Sequence, residues 1–408
     1  MGSGVPVESY TVTQYRDRVA AEKGRANSVA ENRIPAATTT AIVLLNWNSG
    51  EMTAECIRSL CQMSASDYHI IVVDNGSKDG SVDYLREQFP QIEILPQDHN
   101  VGFAAGCNIG IKYALQRGAK YILPLNNDTV VDPCFLAELR HSAEAHPQAA
   151  MISPKIYFYD KPDRLWWAGG SFSLWTGMAK HIGRKEVDRN QFEREAHIDW
   201  ATGCAALIRS DVLKGTGLFD ETFFAYAEDL DLSLRIKNAG YDIYYAPQAR
   251  LWHKEGFVSR KNVGESFRIY LSTRNLLHLM RKHAKAIQWV TFLPNFFVRH
   301  VAFYIALSLA RGDNASAWAV LRGILAFRRM RQHGGTEMPD PYSGVHTGAS
   351  EPQHRSVSVT RNAVENSSAT QKTDGVHGKR YDSQGLFEAA PKTHWADRCV
   401  SQVFRRLR

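Results

Sequence analysis

Four short apolar runs constrain this chain most: Ala41–Asn46, His69–Asp74, Ile92–Leu95 and Tyr121–Leu125. Each is continuously apolar rather than alternating, and each is bounded by turn residues, as strands buried on both faces of a parallel sheet are. Between them Met52, Cys56, Ile57, Leu60 and Met63 recur at helical spacing, as do Val82, Leu85 and Phe89, and later Ile109, Tyr113 and Leu115. Strand–helix–strand repetition predicts an α/β fold built on a parallel sheet. Asp132-Pro133 predicts one more helix, with Asp as its cap and Pro at its first position.

Beyond residue 150 the pattern changes. Trp166, Trp167, Trp175 and Trp200, several glycines and alternating apolar positions predict hairpins and a strand near Trp200–Ile208. A helix is expected from Glu228 to Ala239, ended by Gly240, then short strands at Ile243–Ala246 and Ala249–Trp252. Residues 265–283 read as helical, and 286–331 as apolar with interspersed arginines. The polar residues 1–39 are expected to form a flexible arm, and 334–408 a disordered tail with a short basic helix at its end. The division expected is therefore 40–260 as the main domain, with halves 40–130 and 131–260, and 261–333 as a C-terminal helical region. No run of eighteen uncharged apolar residues occurs, so no spanning helix is expected, and the N-terminus lacks the apolar core of a secretory signal. Six scattered cysteines without a C-x-x-C pair argue against a structural zinc site or a disulfide scaffold, and fit a reducing compartment.

Chemistry-bearing residues collect where the strands end. In an open α/β sheet, ligands bind outside the carboxyl ends of strands. The first strand runs into Asn46-Trp47-Asn48-Ser49 and the second into VVDNGSKDGS, which carries Asp74 and Asp79. Carboxylates there can accept hydrogen bonds from a base or a ribose, or they can cap the turn. HNVGFAAGCNIG (99–110) has the small residues that let a helix N-terminus approach an anion, or that let a helix pack closely on a sheet. It matches neither the dinucleotide fingerprint nor the phosphate loop ending in Gly-Lys-Ser/Thr. LNNDTVVD (125–132) ends an apolar strand in clustered Asn and Asp, which suits a hard divalent cation bound through a diphosphate, or a helix cap. Glu228, Asp229 and Asp231 open a helix whose dipole favours ionised carboxylates, as a general base requires; N-capping is the plainer role. His253, after a short strand, is a candidate ligand for a metal or diphosphate, although a lone histidine is commonly structural. Trp166, Trp167 and Trp200 are candidates for stacking on sugars, with core packing the commoner role.

Together these segments resemble glycosyltransferase family 2, the inverting enzymes of GT-A fold, and most closely its rhamnosyltransferase-like branch. VLLNWNSG, VVDNGSKDGS, HNVGFAAGCNIG, LNNDTVV, WATGCAALIRSDVLKGTGLFDE, FFAYAEDLDLSLRI and LWHKEG occur in the family's order across residues 41–283. The resemblance implies a nucleotide-binding mixed sheet flanked by helices, a nucleotide-sugar donor, a saccharide or lipid-linked saccharide acceptor, and a divalent metal, Mg²⁺ or Mn²⁺. It implies donor contacts at Asn46, Asn48, Asp74, Asp79, Asn100, Gly102, Asn108 and Asn127. Metal binding is implied at Asp128, His253 and Asn126, with Asn126 standing where the metal-binding motif carries Asp. Asp229 is implied as general base, with Glu228 beside it, and Trp200, Gly203 and Cys204 as the lining for sugar and acceptor. dTDP-rhamnose leads as donor; UDP- and GDP-sugars are alternatives.

Two other classes compete. A nucleotidyltransferase would carry a basic Gly-rich loop after its first strand, but NWNSGEMTAE has no Lys or Arg. A non-catalytic glycan-binding module would not need Asp128, Asp229 and His253 together. The net charge of +7 is not spread evenly. Residues 279–335 hold nine Lys/Arg (281, 282, 285, 299, 311, 322, 328, 329, 331) against Asp313 alone, a local +8, interleaved with aromatics. That mixture suits an anionic membrane surface rather than nucleic acid, and a place on the inner face of the cell membrane is expected.

Overall fold

The structure is a computed structural model, and it describes residues 39–255 and 264–332. The expectations for the arm (1–39), save Thr39, and for the tail (334–408) fall outside the described residues. Four strands run as expected: β1 (Thr40–Asn46), β2 (Tyr68–Asp74), β3 (Glu93–Pro96) and β4 (Tyr121–Asn126). Helices α1 (Gly50–Leu60), α2 (Ser81–Gln88) and α3 (Phe103–Gln116) cross between them. β1 pairs in parallel with both β2 and β4, and β2 with β3, so the strand order reverses beside β1. Ligands of α/β sheets bind at such reversals.

The chain then adds β5 (Thr129–Val131), α4 (Phe135–Ala145), β6 (Ala149–Phe158), β7 (Leu165–Trp167) and the β8–β9 hairpin (Gly170–Ser173, Met178–His181). β10 (Ala196–His197), β11 (Leu207–Arg209), α5 (Ser210–Thr216), α6 (Glu228–Asn238) and β12 (Asp242–His253) follow. The main sheet has the order β10-β12-β6-β11-β4-β1-β2-β3, with β11 antiparallel to β4 and β6. This is the mixed α/β sheet flanked by helices that the sequence implies. Three local expectations change, the first being that the strand expected near Trp200–Ile208 is only β11, Leu207–Arg209. The fourth helix begins at Phe135, not at Pro133; Asp132 instead accepts the Cys134 N–H at 2.8 Å and closes a turn before it. The two short strands expected after Gly240 are one strand, β12, whose register against β6 shifts between Ala246 and Arg250.

The glycines of α3 pack rather than bind. A Cβ on Gly106 would lie 2.5 Å from Leu45 of β1, and one on Gly110 would lie 2.5 Å from Val43. The helix therefore seats directly on β1.

Three C-terminal helices complete the described chain: α7 (Glu265–His283), α8 (Ala286–Ala310) and α9 (Asn314–Gln332). By length and composition alone α8 is long and apolar enough to cross a membrane, where the sequence led to no such helix being expected. Its only charged residue, Arg299, interrupts the apolar run without ending the helix. Pro294 removes a backbone donor within α8, and a π-helical stretch, Phe296–Ala302, follows. One side of α8 packs Phe292 and Phe296 against Leu277 and Met280 of α7. Fully burying a side chain such as Phe292 contributes about 1.5–3 kcal/mol. Ile287, Val290, Phe297, Val298, Phe303 and Leu309 of α8 are exposed, as is Trp318 of α9.

Candidate active site

At the carboxyl end of β1, Asn46 is fully buried and serves as a hub. Its Nδ2 donates to Asp74 Oδ2 at 2.7 Å, and its Oδ1 accepts from Thr53 Oγ1 at 2.6 Å and Ser49 Oγ at 3.1 Å. Asp74 also accepts the Ser77 N–H at 2.9 Å, so this buried carboxylate knits the two strand ends. Asn48, in left-handed backbone, accepts the Lys78 N–H through Oδ1 at 2.8 Å. Asp79 accepts from the Ser81 N–H and hydroxyl, capping the turn into α2. Asn75, which the sequence reading passed over, reaches the neighbouring loop: its Nδ2 donates to Asn100 Oδ1 at 2.9 Å, and its Oδ1 accepts the Val101 N–H at 2.9 Å.

Several expected donor contacts have other partners. Asn108 is buried; it donates to the Phe219 carbonyl and Glu221 and accepts the Phe219 N–H, so it joins α3 to the 219–221 turn. Asn127 Nδ2 donates to Ser49 and Thr53 hydroxyls. Gly102 has a φ of +92°, and a Cβ there would lie 2.5 Å from the Phe224 ring, which fills the space expected for a ligand. Trp200 is buried, edge-on to Trp167 at 4.8 Å, within a cluster that includes Trp166 and His181. It is a core residue and has no open face for a sugar.

Beyond β4, β5 pairs with the end of β12, setting His253 opposite Thr129 and next to Asp128. His253 Nε2 lies at an ion-pair distance of 3.0 Å from Asp128 Oδ1, and neither the buried Asp128 Oδ1 nor the buried His253 Nδ1 has a hydrogen-bond partner of good geometry. Burial opposes ionisation of Asp128, yet His253 holds its carboxyl below the usual range. Burial likewise disfavours the imidazolium; Cys204 and Asp128 outweigh it and hold His253 well above the usual range. Cys204 is itself a thiol, its pKa raised by burial, so Asp128 is the anion that matters. Asn126 contributes backbone: its N–H donates to the Cys204 carbonyl at 2.9 Å, and its carbonyl accepts from Thr129 Oγ1 at 2.7 Å.

Among the described residues no cluster of three or more His, Cys, Asp or Glu is arranged to hold a metal. With the imidazole deprotonated, the Asp128–His253 pair nevertheless fits a hard cation that displaces the His253 proton and takes its other oxygens from water and a diphosphate, because one buried carboxylate oxygen has no hydrogen-bond partner.

The second acidic centre opens α6. Asp229 Oδ2 accepts the Gly203 N–H at 2.7 Å, and Oδ1 accepts the Leu230 N–H at 2.8 Å. Glu228 is buried and its Oε2 has no hydrogen-bond partner. Burial and the Asp229 charge push the Glu228 carboxyl well above its usual range. Burial raises Asp229 as well, offset by the two N–H groups. Glu228 is therefore the member of the pair that keeps its proton.

A carboxyl raised on folding gives stability that is full below its unfolded pKa and is lost as pH rises through its folded pKa. Wild-type protein should thus lose thermal stability relative to Glu228→Gln as pH climbs above about 4.3. Calorimetric Tm values across pH 4–8 check this, and parallel curves would contradict it.

The segment before Glu228 is strained. Phe224, Tyr226 and Ala227 have φ of 63°, 68° and 72°, left-handed values without a glycine among them. Each costs about 1–3 kcal/mol and persists where its surroundings over-determine it.

Gly203-Cys204 joins the two acidic centres. Gly203 holds Asp229, and the next residue bonds Asn126 through its carbonyl and neighbours His253 through its thiol.

The profile of Glycosyl transferase family 2 matches residues 41–217. Rhamnosyltransferase WbbL of Escherichia coli K12 is 30% identical over 231 residues, covering 54% of this chain and 86% of that protein. N-acetylglucosaminyl-diphospho-decaprenol L-rhamnosyltransferase of Mycobacterium tuberculosis is 24% identical over 233 residues, 52% of this chain and 75% of that one. The dTDP-rhamnosyl transferase RfbF of Shigella flexneri is 24% identical over 230 residues, 55% and 74% respectively. With most of WbbL covered at that identity, and with the ordered strand-end motifs in one sheet, the chain belongs to glycosyltransferase family 2, in its rhamnosyltransferase-like branch, and is a glycosyltransferase.

Proposed function

We propose that the protein transfers L-rhamnose from dTDP-rhamnose to a hydroxyl of a saccharide or lipid-linked saccharide, with inversion at the anomeric carbon. The observation that carries the reading is the pairing of a buried Glu228 carboxyl with an N–H-anchored Asp229, bridged by Gly203-Cys204 to Asp128 and His253. Asp229 takes the proton of the acceptor hydroxyl as that oxygen attacks. The N–H groups of Gly203 and Leu230 fix the direction of its carboxylate. Asp128 and His253 would hold a divalent cation, which offsets the charge building on the departing diphosphate. The donor nucleotide would lie over the strand ends shaped by Asn46, Asn48, Asp74 and Asp79. Rhamnose as donor sugar is supported by the names of the relatives. The test is nucleoside diphosphate release, with product mass, from dTDP-rhamnose, UDP-sugars and GDP-sugars. An N-acetylglucosaminyl-diphospho-polyprenol is the first acceptor to try. Release confined to UDP- or GDP-sugars would overturn the donor, and no release from any would overturn the function.

The same reading extends to an anionic membrane surface at α8 and α9. Phe297, Phe303 and Trp318 are 53%, 58% and 63% exposed, beside the basic residues of this region. Part of the charge is committed inside the protein: Lys282 pairs with Asp220 and Asp231, and Arg281 lies over Phe327. Wild-type protein is expected to cosediment with phosphatidylglycerol vesicles and not with phosphatidylcholine ones. The pair Phe297→Glu and Phe303→Glu should abolish this; undiminished binding by that variant would contradict the docking face.

A further inference from the structure

We infer that α7, which lies beyond the residues matched by the family profile, is a splint for the catalytic acids, and that Asn275 and Arg274 are positioning residues for Asp229. The inference rests on Asp229 being the base. Both side chains are buried, 1% and 3% exposed, on a helix whose other buried residues are largely apolar. Carbonyls of Phe223, Ala225 and Tyr226 converge on Asn275 Nδ2 at 2.9, 2.8 and 2.7 Å. Arg274 Nη2 donates to the carbonyls of Thr222 and Phe223 at 3.0 and 2.9 Å.

Of these carbonyls, that of Tyr226 lies on a left-handed residue, and those of Thr222, Phe223 and Ala225 flank left-handed Phe224 in the segment that leads into Glu228-Asp229. Residues one and two turns on from Arg274 and Asn275 lie on the same face of a helix. His278 accordingly meets Thr222 Oγ1 at 3.1 Å, and Lys282 and His283 reach Asp231 Oδ1 at 2.7 and 2.8 Å. One face of one helix therefore grips the chain on both sides of Asp229. From the opposite side, the Ala104 N–H donates to the Phe224 carbonyl at 3.0 Å, and the Phe224 ring sits against Gly102.

A strained segment with three non-glycine left-handed residues relaxes when its external anchors are cut. Relaxation would move Asp229 relative to the acceptor oxygen and leave the donor pocket at β1, β2 and β4 intact. The expected signature is therefore a fall in kcat without a matching rise in donor KM.

The test uses the full chain and dTDP release from dTDP-rhamnose, to water and to an N-acetylglucosaminyl-diphospho-polyprenol. Asn275→Ala and Arg274→Lys are each expected to lower kcat about 10²-fold with donor KM within about threefold of wild type. Ile269→Ala, on the same helix but in the apolar cluster with Ala319 and Val320, is the stability control; it should lower Tm and leave kcat per folded molecule near wild type. If Asn275→Ala does not fold, Arg274→Lys decides alone. Wild-type kcat in the foldable variants, or an equal fall in Ile269→Ala, overturns the splint. An Asp229→Asn arm separates the two readings. Full activity in Asp229→Asn overturns the base itself, whereas an inactive Asp229→Asn beside a wild-type-like Asn275→Ala overturns only the splint.

Discussion

Asp229→Asn is expected to lower kcat about 10²–10⁴-fold while the protein folds and binds nucleotide as before. Asparagine has the shape of aspartate, and its amide oxygen can still accept the Gly203 N–H that anchors Oδ2 at 2.7 Å. What disappears is a group able to receive a proton, together with the acceptor of the Leu230 N–H. Calorimetric titration with dTDP should give an unchanged affinity, and stopped or continuous dTDP release should give the loss. Because burial raises the Asp229 carboxyl, wild-type kcat should rise with pH through a pKa above the usual aspartate range. Nucleotide affinity that fell in step with kcat would mean that the residue holds the donor instead.

Asp128→Asn carries the second large effect, a loss of about 10²-fold or more in turnover. The buried Asp128 Oδ1 has no aligned hydrogen-bond partner, and His253 Nε2 is 3.0 Å away. Removing the charge leaves a buried imidazole beside a neutral amide. Mn²⁺ titration followed by electron paramagnetic resonance, with dTDP present, reads the site independently of catalysis. Wild type should bind Mn²⁺ more tightly with dTDP than without it, since the protein offers two ligands and the diphosphate must supply others. Asp128→Asn should lose that gain. Equal Mn²⁺ binding by wild type and variant would contradict a metal at this pair.

The nucleotide-binding half of the sheet is legible in the sequence because parallel strands are buried on both faces, so β1, β2 and β4 read as unbroken apolar runs. Their ends are legible for the same reason, since polar residues appear where burial stops. Side-chain direction is not. Asn108 and Asn127 look like ligands in a strand-end motif, and only packing reveals that each bonds to the protein itself. Trp200 suits a sugar by type but is enclosed by other aromatics. The splint is hidden for a related reason. Arg274, Asn275 and His278 at helical spacing resemble a solvated face, and nothing in a helical period distinguishes that from a buried polar face. The strained turn it holds carries no glycine to announce it. α8 escaped because Gln288, Asn295, Arg299 and His300 break its apolar run while the helix continues through them.

A single displacement with Asp229 as base would fix the anomeric configuration of the product, and that configuration tests it most directly. Nuclear magnetic resonance of the glycoside formed early in the reaction from dTDP-β-L-rhamnose should show the α-linkage, with no glycosyl adduct on the protein by intact mass. A β-linked product, or a covalent sugar on the enzyme, would contradict the account.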